Sequence, residues 1–569
     1  MRKSACWLTC LLTVAATGNA TADSGSFSLL TYNVAGLPEL LSSAESDRQA
    51  ATEEISCYVN QFDVVHVQED FNYHAALYDT CNTHPYRSPT SGGVPFGSGL
   101  NTMSNFPYTD WSRVSWDSCT DTDCLTPKGF TLSRMRLAEG VYVDIYNLHA
   151  QAQVTDAALE ARRDNVLQLL EYISLYSAGN AVIVAGDTNT RYTREGDNVR
   201  EFLHRGFTDV WLGLSRSGSV PAAGAEALLC DPAYTGADCE IVDKVFFRDN
   251  GYLGLAATTY EVREDAYTDA GVALSDHPPV VAEWAYDTVS NRRLSDASGG
   301  DGGYSYNDVA VLPAEPAVQA VSLRSGSRVD RIELTLGRGY VLSHGGAGGS
   351  AQTLTMGTGE YLASMEVCTG IHNDRTRVFY LALHTNQGHS LSGGSSTSSC
   401  ATYAAPSGYQ IVGFHGRAGD ELDKVGAVFA PYLGTSAGAA EYFQVVNQAS
   451  GLCLDIWNAE MASGTNVAQW NCTGDDWQLW NYDATSGLIR SKSDPRFCLE
   501  NGGGFDNGSS LRIWACHATA NQQFTVQGDV ISVRTAPWLV VDAAGTAAGD
   551  DVLTWGDWGG ANQRWHWIP

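Results

Sequence analysis

The chain has 569 residues with 64 acidic and 34 basic side chains, a formal net charge of −30. That length implies three or four domains, and the 44% hydrophobic share lets each of them bury a core. The negative balance weighs against a polyanion partner, because nucleic-acid binding rests on Lys and Arg neutralising phosphates.

At the start, Arg2 and Lys3 precede an apolar run from about Ala5 to Ala16 and then Ala20-Thr21-Ala22. Residues 1–22 read as a secretory signal peptide, with the mature chain beginning near Asp23. The apolar run is too short to span a bilayer, and no later segment is long and apolar enough. The expectation is a secreted, extracellular protein. Cys6 and Cys10 would leave with the signal. The other twelve cysteines suit an oxidising compartment. They fall into local pairs: Cys57 with Cys81, Cys119 with Cys124, Cys230 with Cys239, Cys368 with Cys400, Cys453 with Cys472, and Cys498 with Cys516. Sequence does not fix connectivity, but nearest-neighbour pairing keeps every bridge within one domain. No CxxC…CxxC spacing occurs, so structural zinc is not expected. Asn471 and Asn507 begin N-glycosylation sequons.

Residues 23–287 alternate strand-like and helical runs. Residues 26–36, "SFSLLTYNVAG", read as a strand. Residues 43–62 are helical in character and lead into the apolar strand "DVVHVQE". Residues 155–176 form the clearest amphipathic helix, with Leu159, Val166, Leu169, Leu170 and Ile173 on one side. The buried-type strand "NAVIVAGD" follows. Such alternation indicates an α/β layered domain.

Polar residues stand at the ends of its apolar strands: Asn33, Glu69, His149, Asp187 and Asn189, Asp243, and Asp276–His277 before Pro278 and Pro279. Strand ends hold side chains rigidly, which suits a site. A lone strand-end Asp is more often a turn former; a whole series of Asn, Glu, Asp and His is harder to dismiss. This order resembles the endonuclease/exonuclease/phosphatase superfamily of metal-dependent phosphodiesterases, over about residues 26 to 286. The resemblance implies a four-layer α/β sandwich with the site where strand ends meet. It implies that Asn33, Glu69 and Asp276 hold Mg²⁺, with Mn²⁺ or Co²⁺ able to replace it. His277 would be the general base, oriented by Asp243. Asp187 and Asn189 would position water and phosphate, and His149 would donate to the phosphate or assist the leaving group. Pro278 and Pro279 fix φ beside the base; the bland alternative is that they shape a strand entry.

Two stretches resemble secreted neutral-type sphingomyelinases: Lys128-Gly129 in "TPKGFTLSR", and "LHAQA" around His149, where Ala150 departs from the family's Leu. A Lys-Gly pair also occurs in inositol-polyphosphate phosphatases. Lys128 would touch the substrate phosphate; the alternative is a solvated lysine. Trp111 and Trp116 would suit a membrane-touching loop or core packing.

Residues 288–296 read as a polar linker. Residues 297–433 turn glycine-rich, and stretches such as "SGGDGGYSYND" and "GYQIVGFHGRAGDELDKVGAVF" resemble jacalin-like lectins. That likeness implies an all-β prism whose sugar site joins Gly299 and Gly300 to Gly419 through Asp423. Residues 438–569 hold three copies of one unit at roughly 42-residue spacing. They resemble ricin-type β-trefoil lectins, with Gln478-Leu-Trp480, Gln522-Gln-Phe524 and Gln563-Arg-Trp565 mainly as core. The implied sugar sites are Asp542, Trp555 and Asn562 in the third unit, and Asp455 and Trp470 in the first. Trp477 replaces the usual Asn in the first unit, and Glu500 replaces Asp in the second.

The expected architecture is therefore multidomain: an α/β sandwich, an all-β prism and an all-β trefoil. The expected function is a secreted Mg²⁺-dependent phospholipase C acting on sphingomyelin at a membrane surface, with glycans bound through both lectin domains. Two rivals remain. One is a secreted deoxyribonuclease with nucleic acid as substrate; the other is a lectin with an inactive first domain.

Overall fold

Hydrophobic strands ending in polar residues stack into two sheets in the first domain. The computed structural model describes residues 23–230, 239–268, 270–313, 315–337, 341–433, 442–484, 486–502 and 504–568; the expected signal peptide lies outside them. In chain order the first domain has β1 (Ser24–Asn33), α1 (Arg48–Tyr58), β2 (Val64–Gln68), α2 (His74–Asp79), β3 (Tyr86–Arg87), β4 (Asn101–Ser104), β5 (Tyr108–Ser115), β6 (Gly129–Ala138) and β7 (Val141–His149). It continues with α3 (Asp156–Tyr176), β8 (Ala181–Asp187), α4 (Arg200–His204), β9 (Thr208–Asp209), α5 (Val210–Ser215), β10 (Asp243–Arg248), β11 (Leu253–Val262) and β12 (Val280–Thr288).

One sheet runs β11-β12-β1-β2-β4-β3 and the other β5-β6-β7-β8-β10-β9. Leu29, Val64, Ile145 and Val184 fill the space between them. Helix α3 begins at Thr155, whose hydroxyl accepts from Ala158 N, a side-chain N-cap. It buries Val166, Leu169, Leu170 and Ile173, while Leu159 is only half-buried. Each fully buried side chain of this type contributes about 2 kcal/mol. On the outer face of the first sheet, Ile55 of α1 packs with Leu30, Tyr32 and Val65.

Register decides what meets at the sheet edge. β7 and β8 are parallel with His149 opposite Asp187, and β10 runs antiparallel with Asp243 opposite Asp187. Three polar strand ends thereby stand side by side. β1 and β2 are parallel, which ends Asn33 beside Gln68 and delivers Glu69 one residue on.

The second domain is a prism of three sheets. They are built around Tyr409–Ala418 and Leu422–Pro431, around Val318–Ser325 and Val329–Leu336, and around Leu362–His372 and Arg375–Thr385. The third is a trefoil of twelve strands from Phe443–Asn447 to Trp565–Ile568. Gln478, Gln522 and Gln563 are buried beside Trp480, Phe524 and Trp565, so these repeat signatures are core.

Among the described residues six disulfides join nearest neighbours in sequence, and each stays within one domain. In the sandwich, Cys57 bonds to Cys81, Cys119 to Cys124 and Cys230 to Cys239. In the prism, Cys368 bonds to Cys400 across two paired strands. In the trefoil, Cys453 bonds to Cys472 and Cys498 to Cys516. The trefoil bridges each run from a buried strand residue outward: Cys453 and Cys498 are fully buried, Cys472 is exposed and Cys516 is half-buried. Cys81, also half-buried, ties the end of α1 to the loop after α2, and its N–H donates to Ser56 Oγ at 3.0 Å. These disulfides are structural ties; Cys230 and Cys239 line a groove beside His277, and the Cys119–Cys124 loop is described below. Among the described residues no helix is long and apolar enough to cross a membrane.

The seam between the first two domains is polar and buried. Arg134 pairs with both Asp144 and Asp110, and Lys424 of the prism pairs with Asp110. Residues 288–296 run along this seam: Asp296 accepts from Arg136, the Tyr142 hydroxyl and Gly140 N. Removing one member of such a buried charge cluster costs about 3–5 kcal/mol.

Candidate active site

The polar strand ends converge at one edge of the sandwich. The His277 ring meets Asp243 at 2.8 Å, Nδ1 to Oδ2. Its other nitrogen, Nε2, lies 3.9 Å from Asp187 Oδ2. Burial alone would weaken proton binding by this ring; Asp243, Asp187 and Asp276 outweigh it and hold the His277 pKa well above the usual value. Asp187 is enclosed. Its Oδ1 accepts from Asn189 N at 3.0 Å, and its Oδ2 accepts from Asn33 Nδ2 at 3.3 Å. Burial, and then Asp243, push its carboxyl up to about 6.

His149 is buried, with Nε2 3.0 Å from Lys128 Nζ and 3.3 Å from Asp187 Oδ2. Burial, then Lys128 and His277, hold its pKa well below the usual value, so the ring is neutral. An ammonium only donates, so Nε2 accepts from Lys128. Asn189 reaches away from Asp187, its Nδ2 donating to Ala150 O at 3.1 Å.

Glu69 adopts φ +59° just after β2. Gly36 lies against it so closely that a Cβ there would collide with the Glu69 carbonyl; glycine permits the approach. Burial pushes the Glu69 carboxyl up, Lys128 lowers it, Asp276 raises it and Asn33 hydrogen-bonds to it. Asp276 is exposed, and its Oδ2 accepts from the Ser43 hydroxyl. All nine catalytic, substrate and metal candidates thus stand at one strand-end corner or its rim.

Glu69, Asn33 and Asp276 offer oxygen donors, and the carboxylates of Asp187 and Asp243 stand buried at the same corner. That set fits a hard divalent cation. Asp187, Asp243 and His277 also bring ligand atoms within 4.8 Å of one another. An ion there would compete with the Asp243–His277 hydrogen bond, so proton transfer and metal binding are alternative uses of those three residues. Beside His277 opens a groove of about 1000 Å³, lined by Ser43, Tyr260, Arg263, Tyr267, Asp276 and Pro278.

Sequence reading missed the residues that position this set. Asp123 lies inside the Cys119–Cys124 bridge; its Oδ1 is 3.1 Å from Lys128 Nζ and its Oδ2 accepts from Ala152 N at 2.6 Å. Arg48 on α1 is fully buried and donates to Val34 O, Ala35 O, Ser46 Oγ and Leu274 O. It staples the loop after Asn33 to the one before Asp276, and Ser275 Oγ donates to Asn33 O at 2.6 Å. A basic residue on the apolar side of α1 was the available signal. The tryptophans take their packing alternative: Trp116 lies against Phe130 and donates to His149 O at 2.7 Å, while Arg113 covers Trp111. Neither forms an exposed loop tip, because both side chains have partners inside the domain.

In the prism, Gly299 and Gly300 pack against Asp423 and Thr376, and Gly419 stands beside Gly303. The Asp423 carboxylate, however, is buried and ion-paired with Arg377. In the trefoil, Asp542 accepts from Asn562 at 2.9 Å and from Gln563 at 2.8 Å, with Trp555 exposed nearby. Asp455 accepts from Gln478 at 2.7 Å, and exposed Trp470 forms an edge contact with Trp457. Glu500 is tied to Arg512 and His517.

Three family models match the chain. They are Endonuclease/Exonuclease/phosphatase family 2 over residues 39–238, the jacalin-like lectin domain over 295–428, and the ricin-type beta-trefoil lectin domain over 441–565. A sphingomyelinase of Mycobacterium tuberculosis is 38% identical over 291 residues, covering 48% of this chain and 56% of that protein. The chain spans about half the length of the curated relatives it matches. Among solved structures, sphingomyelinase C from Streptomyces griseocarneus is similar at 19% identity, covering 46% of this chain and 99% of that one, with a TM-score of 0.34. Malaysian banana lectin is similar at 27% identity, covering 24% and 98%, with a TM-score of 0.22.

Proposed function

We propose that this chain, in which an endonuclease/exonuclease/phosphatase-family domain precedes a jacalin-like and a ricin-type lectin domain, is a secreted phosphodiesterase that hydrolyses sphingomyelin to ceramide and phosphocholine. The observation that carries the chemistry is the Asp243–His277 hydrogen bond at 2.8 Å, facing the Lys128–His149 pair across Asp187. The lipid branch is supported by the mycobacterial sphingomyelinase relative and by the net charge of −30, which disfavours a polyanion. Secretion is supported by the signal-like first residues and by the disulfides.

Glu69 and Asn33, with Asp276 at the rim, would hold Mg²⁺, which supplies charge neutralisation at a non-bridging phosphate oxygen when bound. The remaining work falls to side chains. In its deprotonated form His277 accepts a proton at Nε2 from the attacking water, because its Nδ1–H is committed to Asp243. Asp243 keeps the ring in that orientation and stabilises it once protonated. Asp187, held by Asn33 and by Asn189 N, borders the space where water must stand. Lys128 gives one N–H to His149 and one to Asp123, leaving a third for a phosphate oxygen. The two lectin domains would concentrate the enzyme on glycan-bearing surfaces.

The test is head-to-head turnover of the purified chain on sphingomyelin liposomes and duplex DNA, with Mg²⁺ or EDTA and with His277→Ala as the blank. Phosphocholine release that needs both Mg²⁺ and His277 supports the reading. DNA cleavage with the same dependence moves the enzyme to the nuclease branch, and no turnover of either favours the lectin-only reading.

A further inference from the structure

In each sheet of the sandwich a strand ends in a site residue and a helix follows. β1 ends at Asn33 before α1, and β7 ends at His149 before α3. Each helix carries one fully buried arginine, Arg48 on α1 and Arg162 on α3. The two turn back to equivalent places. Arg48 donates to the carbonyls of Val34 and Ala35, just after Asn33, and reaches on to Leu274 O, before Asp276. Arg162 Nη1 donates to the carbonyls of Gln151, Ala152 and Gln153 at 2.7, 3.4 and 2.8 Å, just after His149. It reaches on to the segment that follows Asp187.

That second reach runs through an acid. Arg162 Nε donates to Asp197 Oδ1 at 2.9 Å, and both side chains are shielded from solvent. Asp197 Oδ2 accepts from Arg191 N at 2.9 Å and from Arg194 Nη1 at 3.0 Å. Arg194 Nη1 also donates to Asn189 O at 2.8 Å. The path from α3 thus closes on Asn189, whose own N–H donates to Asp187 at 3.0 Å. One turn further along α3, Asn165 Oδ1 accepts from Gln151 N at 3.0 Å, and its Nδ2 donates to Ser118 O at 2.9 Å. Ser118 adjoins the Cys119–Cys124 loop that brings Asp123 to Lys128. A buried ion pair adds little net stability over a packed apolar pair, which leaves geometry as what Arg162 and Asp197 supply.

We propose that Arg162, acting with Asp197, is a positioning residue for the phosphate side of the corner: it sets Lys128, His149 and Asp187 relative to one another, as Arg48 sets Asn33 and Asp276 on the metal side. The corner then consists of two halves, each held by its own buried arginine, and each half can be loosened alone. Arg162 touches none of the reacting groups. It acts through the backbone that leaves His149 and through the backbone that leaves Asp187.

The inference rests on the phosphodiesterase reading, and the experiment separates the two. Full-length chain is compared as wild type, Arg162→Met, Arg162→Lys, Asp197→Asn and Arg48→Met, with melting temperatures as folding controls. Three readouts are taken: amide hydrogen exchange, Mg²⁺ affinity by calorimetry, and kcat and KM on sphingomyelin liposomes. In Arg162→Met and Asp197→Asn, exchange at residues 150–153 and 188–190 should quicken about ten-fold or more. Mg²⁺ affinity and KM should stay as in wild type, while kcat falls about ten- to a hundred-fold. Arg162→Lys should recover part of the loss. Arg48→Met should weaken Mg²⁺ binding and leave exchange at 150–153 unchanged. Where Arg162→Met fails to fold, Asp197→Asn carries the test, because it keeps the side-chain size and the arginine's carbonyl contacts. Wild-type exchange at both loops in a folded Asp197→Asn overturns the assignment, and so does a loss of Mg²⁺ affinity in the Arg162 variants equal to that in Arg48→Met. A wild type without turnover removes the phosphodiesterase reading; the exchange and metal readouts then decide the assignment by themselves.

Discussion

Asp123 and Lys128 meet at 3.1 Å, and the same lysine stands 3.0 Å from the neutral ring of His149. The acid is held within the short Cys119–Cys124 disulfide loop, so it presents a fixed anchor to a flexible side chain. Asp123→Ala should leave Lys128 in place but unaimed. Hydrogen bonds to charged groups contribute about 1.5–3 kcal/mol, so kcat should fall about ten- to a hundred-fold. Asp123→Glu should recover part of that loss. Steady-state kinetics on the substrate that turns over checks this, and an unchanged kcat would refute the anchoring role.

The Asp243–His277 bond should be worth more. Asp243→Asn keeps the shape but offers an amide to Nδ1, which disfavours the required tautomer. Turnover should fall about 10²- to 10⁴-fold with circular dichroism unchanged. A loss equal to that of His277→Ala would mark the two as one unit, whereas wild-type turnover would exclude Asp243 from the reaction.

Pro278 follows the base directly. Pro278→Ala frees φ beside His277 and should lower kcat more than it raises KM. Equal kinetics would reduce the prolines to strand-entry residues.

Arg48 donates to three backbone carbonyls at that corner, those of Val34, Ala35 and Leu274. Arg48→Met keeps volume and takes that donor away from all three. Stability should drop by about 3–5 kcal/mol, and apparent Mg²⁺ affinity should weaken because the Asn33 and Asp276 loops separate. Chemical denaturation and metal titration are the two readouts; a stable variant with unchanged metal affinity contradicts the staple.

His66 bridges the two sheets, its Nδ1 3.1 Å from Ala185 O, and burial lowers its pKa to about 4. The unfolded ring titrates near about 6.5. Folded-state depression means that stability is fully present above the unfolded value and is lost as pH falls toward the folded one. The loss should total about 3 kcal/mol between roughly pH 6.5 and 4. His66→Gln should flatten the melting-temperature profile across that window; an identical slope would assign the acid sensitivity elsewhere.

Local pattern carried much of this molecule. The period of α3 showed in Val166, Leu169, Leu170 and Ile173, and the threefold units showed in their Gln-x-aromatic signatures, which are buried as read. The cysteines were legible for the same reason: Cys81, Cys472 and Cys516 each bond to the cysteine that precedes them in the chain. The polar strand ends were legible because strand period and polarity are local properties. What stayed hidden depends on distant partners. Nothing adjacent to Asp423 reveals that Arg377 neutralises it. Nothing near Arg48 names Leu274 as its acceptor. Trp116 read equally well as a surface anchor until Phe130 and His149 O were seen to occupy it.

The charged seam at Asp110, Arg134 and Lys424 also bears on how this polypeptide can be divided. Three modules in a row invite cutting and splicing at the junctions. A cut near residue 288 would leave Asp110 and Arg134 on one fragment without Lys424, and Asp296 on the other without Arg136 and Tyr142. The catalytic half would expose a half-neutralised acidic face, and the lectin half an unmatched lysine. Enzyme and prism therefore have to be transplanted together.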